Sequence, residues 1–301
     1  MRAAITGARG FVGRHLAAHL TARGDEVVEL DLDGARALDV TDHDAVVARV
    51  AAERPDAVYH LAARSHVGES WAAGDALARV NVGGTRAVVD ACVRAGVGRV
   101  LVVGSAEQYG AVHDDELPIR ESTALRPITP YGETKAAAEQ VALAAHREHG
   151  LGVVCARAFN HTGPGQPSAF LVPGLAARIA AAERSGADEI VLGNGDPVRD
   201  FSDVRDVVRA YALLVDRGTP GEAYNVCSGR GVRVGDLAAE LVARANRPLR
   251  LATDGTLVRP VDVPVMVGDA AKLTTATGWS PALDLARTLD DVLAAARATA
   301  G

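Results

Sequence analysis

Lysine is nearly missing from this 301-residue chain: of its 32 basic residues, only Lys135 and Lys272 are lysine. The arginine excess reads as coding bias and carries no functional weight. Aromatic residues are only 4%, so any core must be built mainly from Val, Leu, Ala and Ile. The three cysteines, Cys92, Cys155 and Cys227, lie far apart in apolar or small-residue settings. That spacing suits no metal site, and the reading is buried reduced thiols in a cytoplasmic protein. No apolar run approaches the ~18 residues of a membrane span, so no membrane partner is expected. The apolar start runs directly into a glycine motif, so no leader peptide is expected either. Nor is there a basic stripe. The formal charge is −6 with both signs interspersed, which argues against a nucleic-acid partner.

What is present is an apolar content of 48%, enough for one large domain or one with a smaller companion. Short apolar runs alternate with amphipathic stretches. Strands are predicted at 2–6, 26–31, 57–61, 98–104 and 152–157, and helices at 11–23, 42–53, 77–95 and 131–149. This order argues for an α/β fold, a doubly wound parallel sheet with helices on both faces. Beyond Phe159 the pattern loosens. Gly and Pro mark loops at 163–174 and 193–197, followed by a strand at 223–227 and helices at 234–246 and 284–298. With no internal repeat or low-complexity linker, the second half reads as a smaller C-terminal α/β lobe interleaved with the first. The expected division is a dinucleotide-binding domain over 1–158, to which 198–228 return, and a substrate lobe over 159–197 and 229–301.

Gly7, Gly10 and Gly13 follow the first strand and open the first helix. Glycines there permit a tight turn and let backbone amides, with Phe11 and Val12, approach a pyrophosphate at the helix N-terminus. Asp31 ends the second strand, where a carboxylate accepts both ribose hydroxyls and repels a 2′-phosphate, so NAD(H) is favoured over NADP(H). Asp39 and Val40 hold either the adenine edge or a loop. Tyr131 and Lys135 are spaced i, i+4 at the start of an Ala-rich helix, which puts both on one face. An ammonium in that position is expected to lower the phenol pKa from its usual ~10 and make a proton donor and acceptor for neutral pH.

Five motifs in order, Thr6-Gly7-x-x-Gly10-x-x-Gly13, His60-Leu61-Ala62-Ala63, Asn81-Val82-x-Gly84-Thr85, Gly104-Ser105-Ala106-Glu107-x-Tyr109-Gly110 and Pro130-Tyr131-Gly132-x-Thr134-Lys135, span much of the chain. Together they resemble the extended short-chain dehydrogenase/reductases that act on nucleotide sugars, which have the Rossmann fold. The resemblance implies an enzyme with a nicotinamide cofactor in the N-terminal sheet domain, touched also by Leu61, Ala62 and Ala63, and a nucleotide sugar in the C-terminal lobe. It makes Ser105, Tyr131 and Lys135 the catalytic triad. His60 reads as a packing histidine and Tyr109 as structural. The helices at 77–95 and 131–149 resemble the pair that forms a four-helix interface in this family, which implies a homodimer.

The segments Arg157 to Gln166, Arg199-Asp200-Phe201, Tyr224 to Gly229 and Arg259 to Pro264 are similar to those of GDP-4-keto-6-deoxy-D-mannose reductases. This implies reduction of the C4 ketone to a GDP-6-deoxyhexose, GDP-D-rhamnose. Arg199 and Arg259 would clamp the phosphates, as guanidinium forks suit phosphate oxygens. Asn160 would donate to a phosphate, Asp262 would hold the guanosine ribose, and Ser105 and Glu107 would also touch the sugar. Glu107 occupies the position of a general base in GDP-mannose 4,6-dehydratases, which keeps that reaction, or 4-epimerisation, as the alternative. A regulator that binds cofactor without turnover would be expected to lose Tyr131 or Lys135, and both are present.

Overall fold

Six short apolar strands form one parallel sheet in the computed structural model, which describes residues 1–65, 74–254 and 263–299. They are β1 (Arg2–Thr6), β2 (Glu26–Leu30), β3 (Ala57–His60), β4 (Arg99–Val103), β5 (Val153–Ala158) and β9 (Ala223–Val226), in the order β2-β1-β3-β4-β5-β9. Every pairing is parallel, from Thr6 opposite His60 to Ala158 opposite Val226. A parallel sheet must be covered on both faces, which is why these strands are almost uniformly apolar rather than alternating. Helices α1 (Phe11–Ala22) and α7 (Val204–Arg217) cover one face through Leu16, Leu20, Val207, Tyr211 and Leu214. On the other face lie α2 (His43–Glu53), α4 (Gly84–Ala95) and α5 (Pro130–His149), packed through Val46, Val50, Val88, Cys92 and Ala142.

The helix predicted at 77–95 is interrupted. A short α3 (Gly74–Leu77) widens into a π-helical stretch, Ala78–Gly83, before α4 begins. The buried Asn81 lies in this wide turn, and the hydroxyl of Thr85 donates back to its carbonyl at 2.6 Å.

The smaller lobe surrounds β8 (Val198–Asp203). That strand pairs with β6 (Asn160–Thr162) and β12 (Val265–Met266) in parallel, and with β10 (Gly231–Arg233) antiparallel. A separate two-stranded piece joins β7 (Glu189–Leu192) to β11 (Arg250–Thr253). Helices α6 (Leu171–Ser185), α8 (Val234–Val242) and α10 (Leu285–Thr299) share a core of Leu175, Ile179, Leu237, Leu241, Leu289 and Leu293. Between these lobe elements the chain returns to the large sheet with α7 and β9, and α9 (Ala271–Thr277) packs on α7.

Helix α6 begins inside the segment predicted as loop, because Pro173 and Gly174 sit in its first turn. Proline is tolerated there, where backbone N–H groups have no intrahelical partner. The chain runs from β1 to β2 on one side and later places β3 on β1's other side. Such a reversal opens a crevice at the carboxyl ends of the strands.

Candidate active site

A cavity of about 970 Å³ lies over the carboxyl ends of β1, β3, β4 and β5 and extends between the sheet and the smaller lobe. All the predicted site residues among the described ones line it: Gly7, Gly10, Phe11, Val12, Gly13, Asp31, Asp39, Val40, Leu61, Ala62, Ala63, Ser105, Glu107, Tyr131, Lys135, Asn160 and Arg199. Arg259 and Asp262 lie outside the described residues.

The glycine end is shaped by close backbone approach. Gly7 has φ +70°, and a Cβ on it would sit 2.8 Å from the Ala62 nitrogen; one on Gly13 would sit 2.2 Å from the Gly7 carbonyl oxygen. Gly10 caps α1 with no side-chain acceptor, and the first turn of that helix carries no acid. Its amides are thus available to an anion, so this cradle fits a dinucleotide pyrophosphate.

Asp31 is held at the end of β2 by the backbone amides of Arg9 and Leu32, each at 2.8 Å. The Arg9 guanidinium lies 3.1 Å from Asp33 and 3.9 Å from Glu29. The Asp39 carboxylate accepts from the Thr41 amide at 2.9 Å and from its hydroxyl at 2.8 Å, and those bonds hold its pKa low. Its carboxylate therefore shapes the turn before α2 as well as the cavity wall.

Ser105 caps the 3₁₀ turn Ala106–Gln108 that follows β4. Its hydroxyl lies near enough to the Tyr131 phenol to favour the phenolate, and it accepts from the Glu107 amide at 3.2 Å. Helix α5 starts at Pro130, with the Thr129 hydroxyl accepting from the Gly132 amide at 3.0 Å. Gly132 lets the helix approach the Ser105 turn, since a Cβ there would sit 2.5 Å from the Glu107 carbonyl oxygen. Tyr131 and Lys135 do share a face, but their electrostatics differ from expectation. Burial pushes the phenol up to about 12, the nearby Ser105 hydroxyl opposing this and the Glu107 charge adding to it. The Lys135 ammonium lies 6.0 Å from the phenol ring centroid and donates to the Val103 carbonyl at 2.8 Å, while burial lowers its pKa to about 8. Burial outweighs the attraction that the i, i+4 spacing suggested. A phenol with this pKa stays protonated at neutral pH, as a proton donor must. If turnover needs the Lys135 ammonium, kcat/KM falls as pH rises through about 8. A full pH–rate profile checks this, and a flat profile between about pH 7 and 9.5 would exclude the requirement.

His60 is a core residue. The Thr85 hydroxyl donates to the Asn81 carbonyl, so it accepts from His60 Nε2 at 3.0 Å, and Nδ1 then accepts from Thr6 at 2.8 Å. Burial depresses the ring's pKa to about 3 and keeps it neutral. Tyr109 is fully buried and donates to Asn225 Oδ1 at 2.6 Å.

The cavity wall also includes Leu32, Arg79, His161, Phe170 and Tyr211, to which the sequence assigned no role. His161 donates from Nδ1 to the Phe159 carbonyl at 2.9 Å and stacks on Phe11 at 6.3 Å, joining the lobe segment to the glycine loop. Its place between Asn160 and Gln166 was the available signal. Tyr211 had none: it lies on the sheet-covering α7, and only folding brings it to the cavity.

The family model for the NAD dependent epimerase/dehydratase family matches residues 3–227. The chain belongs to this family. It is similar to GDP-6-deoxy-D-mannose reductase of Pseudomonas aeruginosa, 34% identical over 96% of this chain and 95% of that one. A GDP-6-deoxy-D-talose 4-dehydrogenase of Aggregatibacter actinomycetemcomitans is 29% identical over 92% of each chain. Among solved structures, RMD from Pseudomonas aeruginosa complexed with NADPH superposes with a TM-score of 0.90 at 32% identity, covering 99% of this chain and 100% of that one. The parallel sheet with helices on both faces is thus the Rossmann-type fold of this family of NAD(P)-dependent enzymes.

Proposed function

We propose that this protein reduces the C4 ketone of GDP-4-keto-6-deoxy-D-mannose to a GDP-6-deoxyhexose, GDP-D-rhamnose. The observation that carries the reading is the convergence of Ser105, Tyr131 and Lys135 in one cavity, with the glycine cradle at one end and Asn160 and Arg199 at the other. Bound reduced nicotinamide supplies the hydride that reaches C4. Tyr131 gives its proton to the developing alkoxide, and Ser105 hydrogen-bonds the same oxygen. The Lys135 ammonium, anchored on Val103, holds the nicotinamide ribose and favours the phenolate left behind. Asn160, Arg199 and Arg259 bind the diphosphate, and Asp262 the guanosine ribose. The smaller lobe, which includes β8 (Val198–Asp203) rather than yielding it to the sheet domain as the sequence suggested, is the substrate side, and 1–158 with the returning α7 and β9 is the cofactor side. The test is nicotinamide oxidation on adding GDP-4-keto-6-deoxymannose with NADH or NADPH, with sugar analysis of the product. No oxidation with either cofactor would overturn the assignment. Talose configuration at C4 would overturn only the named product.

One observation favours a second reading. Glu107 lines the cavity close enough to raise the Tyr131 pKa through its charge, as a dehydratase base would. In the reductase reading Glu107 contacts the sugar hydroxyls. Water loss from GDP-mannose without net cofactor consumption would favour the dehydratase.

For the cofactor, NADH is proposed over NADPH. Asp31 is fixed at the end of β2, and the neighbouring Arg9 guanidinium is occupied by Asp33 and Glu29. The NADPH in the Pseudomonas aeruginosa structure stands against this, so the kcat/KM ratio for the two cofactors is the deciding measurement. Leu32, 72% exposed on the cavity rim, is the place for a compensating base. Asp31→Ser with Leu32→Arg is expected to move the ratio toward NADPH by at least about tenfold, roughly one charge-assisted contact. An unmoved ratio would show that Asp31 does not face the ribose.

The protein is further proposed to be a cytoplasmic homodimer. The buried cysteines are unpaired, and no helix among the described residues is long and apolar enough to cross a membrane. Helix α5 leaves Ala137 exposed and Ala136, Val141 and Ala144 half-buried on a face that a second copy would cover. Light scattering on the purified protein tests this.

A further inference from the structure

Ser105 and Tyr131 come from different elements, the turn after β4 and the first turn of α5, yet their hydroxyls must meet one substrate oxygen. A buried chain of hydrogen bonds connects the two elements. The Ser105 amide donates to Gln108 Oε1 at 2.7 Å, and Gln108 Nε2 donates to Glu139 Oε2 at 3.0 Å. Glu139 lies on α5 at i+8 from Tyr131 and i+4 from Lys135, on the same face. Arg157 of β5 grips Glu139 with two bonds, Nη2 to Oε1 at 2.6 Å and Nε to Oε2 at 3.0 Å. A third Arg157 bond reaches the Tyr109 hydroxyl at 2.9 Å. Gln108 is fully buried and Glu139 is 1% exposed. Gln108, Glu139 and Arg157 are all absent from the cavity wall. Space for the carboxamide is reserved at Gly104, where a Cβ would sit 2.3 Å from Gln108 Oε1.

We propose that Gln108 and Glu139 are positioning residues that set the Ser105 hydroxyl against the Tyr131 phenol, through this bridge from the 3₁₀ turn to α5. The proposal rests on the reading that both hydroxyls address the substrate oxygen. An apolar contact at Gln108 would allow the turn to slide along the helix. The carboxamide fixes both ends, because it accepts from the turn with one atom and donates to a charged partner with the other. The bridge therefore works only with a donor facing Glu139.

That requirement supplies the test. Gln108→Glu retains the acceptor for the Ser105 amide, but its second oxygen faces Glu139 and can donate only when protonated. The charged and titratable groups around it are Glu139 and Lys135 of α5, Arg157 and Cys155 of β5, Tyr109 of its own turn, and Glu121 of the following loop. Arg157 is the cation that touches Glu139, and one guanidinium cannot balance two adjacent carboxylates. In the full-length Gln108→Glu variant, kcat is expected to be about 10–100-fold below wild type at about pH 7.5, the cost of a small misplacement. It should recover toward wild type at about pH 6, since burial and the adjacent Glu139 charge raise the pKa of the new carboxyl and its protonation restores the donor. The Kd for cofactor should stay unchanged. Gln108→Met, which has neither donor nor acceptor, should lose kcat at both pH values. A Gln108→Glu profile superimposable on that of wild type, or a kcat loss that merely follows the folded fraction measured by circular dichroism, would overturn the positioning role. Full turnover in Tyr131→Phe would instead overturn the catalytic reading beneath it.

Discussion

Tyr131→Phe is expected to lower kcat for the keto sugar by roughly 10²–10⁴-fold, the usual worth of a positioned proton donor. Cofactor affinity should be preserved, since the ring volume is kept and only the hydroxyl is lost. The phenol is buried beside Ser105 and pushed up to about 12, so in wild type nearly every molecule at neutral pH carries the proton to be given. In the variant the alkoxide would have to draw its proton from Ser105 or water. Steady-state nicotinamide oxidation measures kcat, and a fluorescence titration measures cofactor Kd. A variant that turns over like wild type would remove Tyr131 from the mechanism. A variant that loses cofactor binding as well would make its role structural.

Arg157→Met is expected to destabilise the fold by about 3–5 kcal/mol, the cost of leaving a buried charge without its partner. For a chain of this size that is a fall in Tm of roughly 5–8 °C. Methionine fills much of the space of the arginine stem, so the loss should come from the stranded Glu139 carboxylate rather than from a cavity. That origin has a signature: the deficit should shrink on acidification, as protonation neutralises Glu139. Thermal melts of both proteins at several pH values test it. A pH-independent deficit would assign the effect to packing, and no deficit would mean that water or a neighbouring group already satisfies Glu139.

Much of the site was legible before folding because its signals are local. The spacing of Gly7, Gly10 and Gly13 reports a turn in which close backbone contact forbids a Cβ, and the i, i+4 spacing of Tyr131 and Lys135 places both on one side of any helix. Other features were not legible. Pro173 and Gly174 looked like punctuation and instead sit in the first turn of α6, where their usual helix-breaking penalties are small. Nothing in the polar strand Val198–Asp203 marks it as the centre of the smaller lobe, because its pairing partners are distant in sequence. Asp39 left two readings open, an adenine contact or a loop, and the structure shows it fixing a turn at the cavity wall.

Sequence alone determined the alternation of elements, the cradle for a dinucleotide, the side-by-side tyrosine and lysine, and the family likeness, since each is written in residues close along the chain. The tertiary structure decided what those groups experience. It buried Tyr131 and Lys135 so deeply that the phenol's pKa rises and the ammonium turns to the Val103 carbonyl. It also joined Gln108, Glu139 and Arg157 across three elements. Burial and long-range hydrogen bonding are sums over neighbours brought together from the whole chain, and no local pattern of residues encodes them.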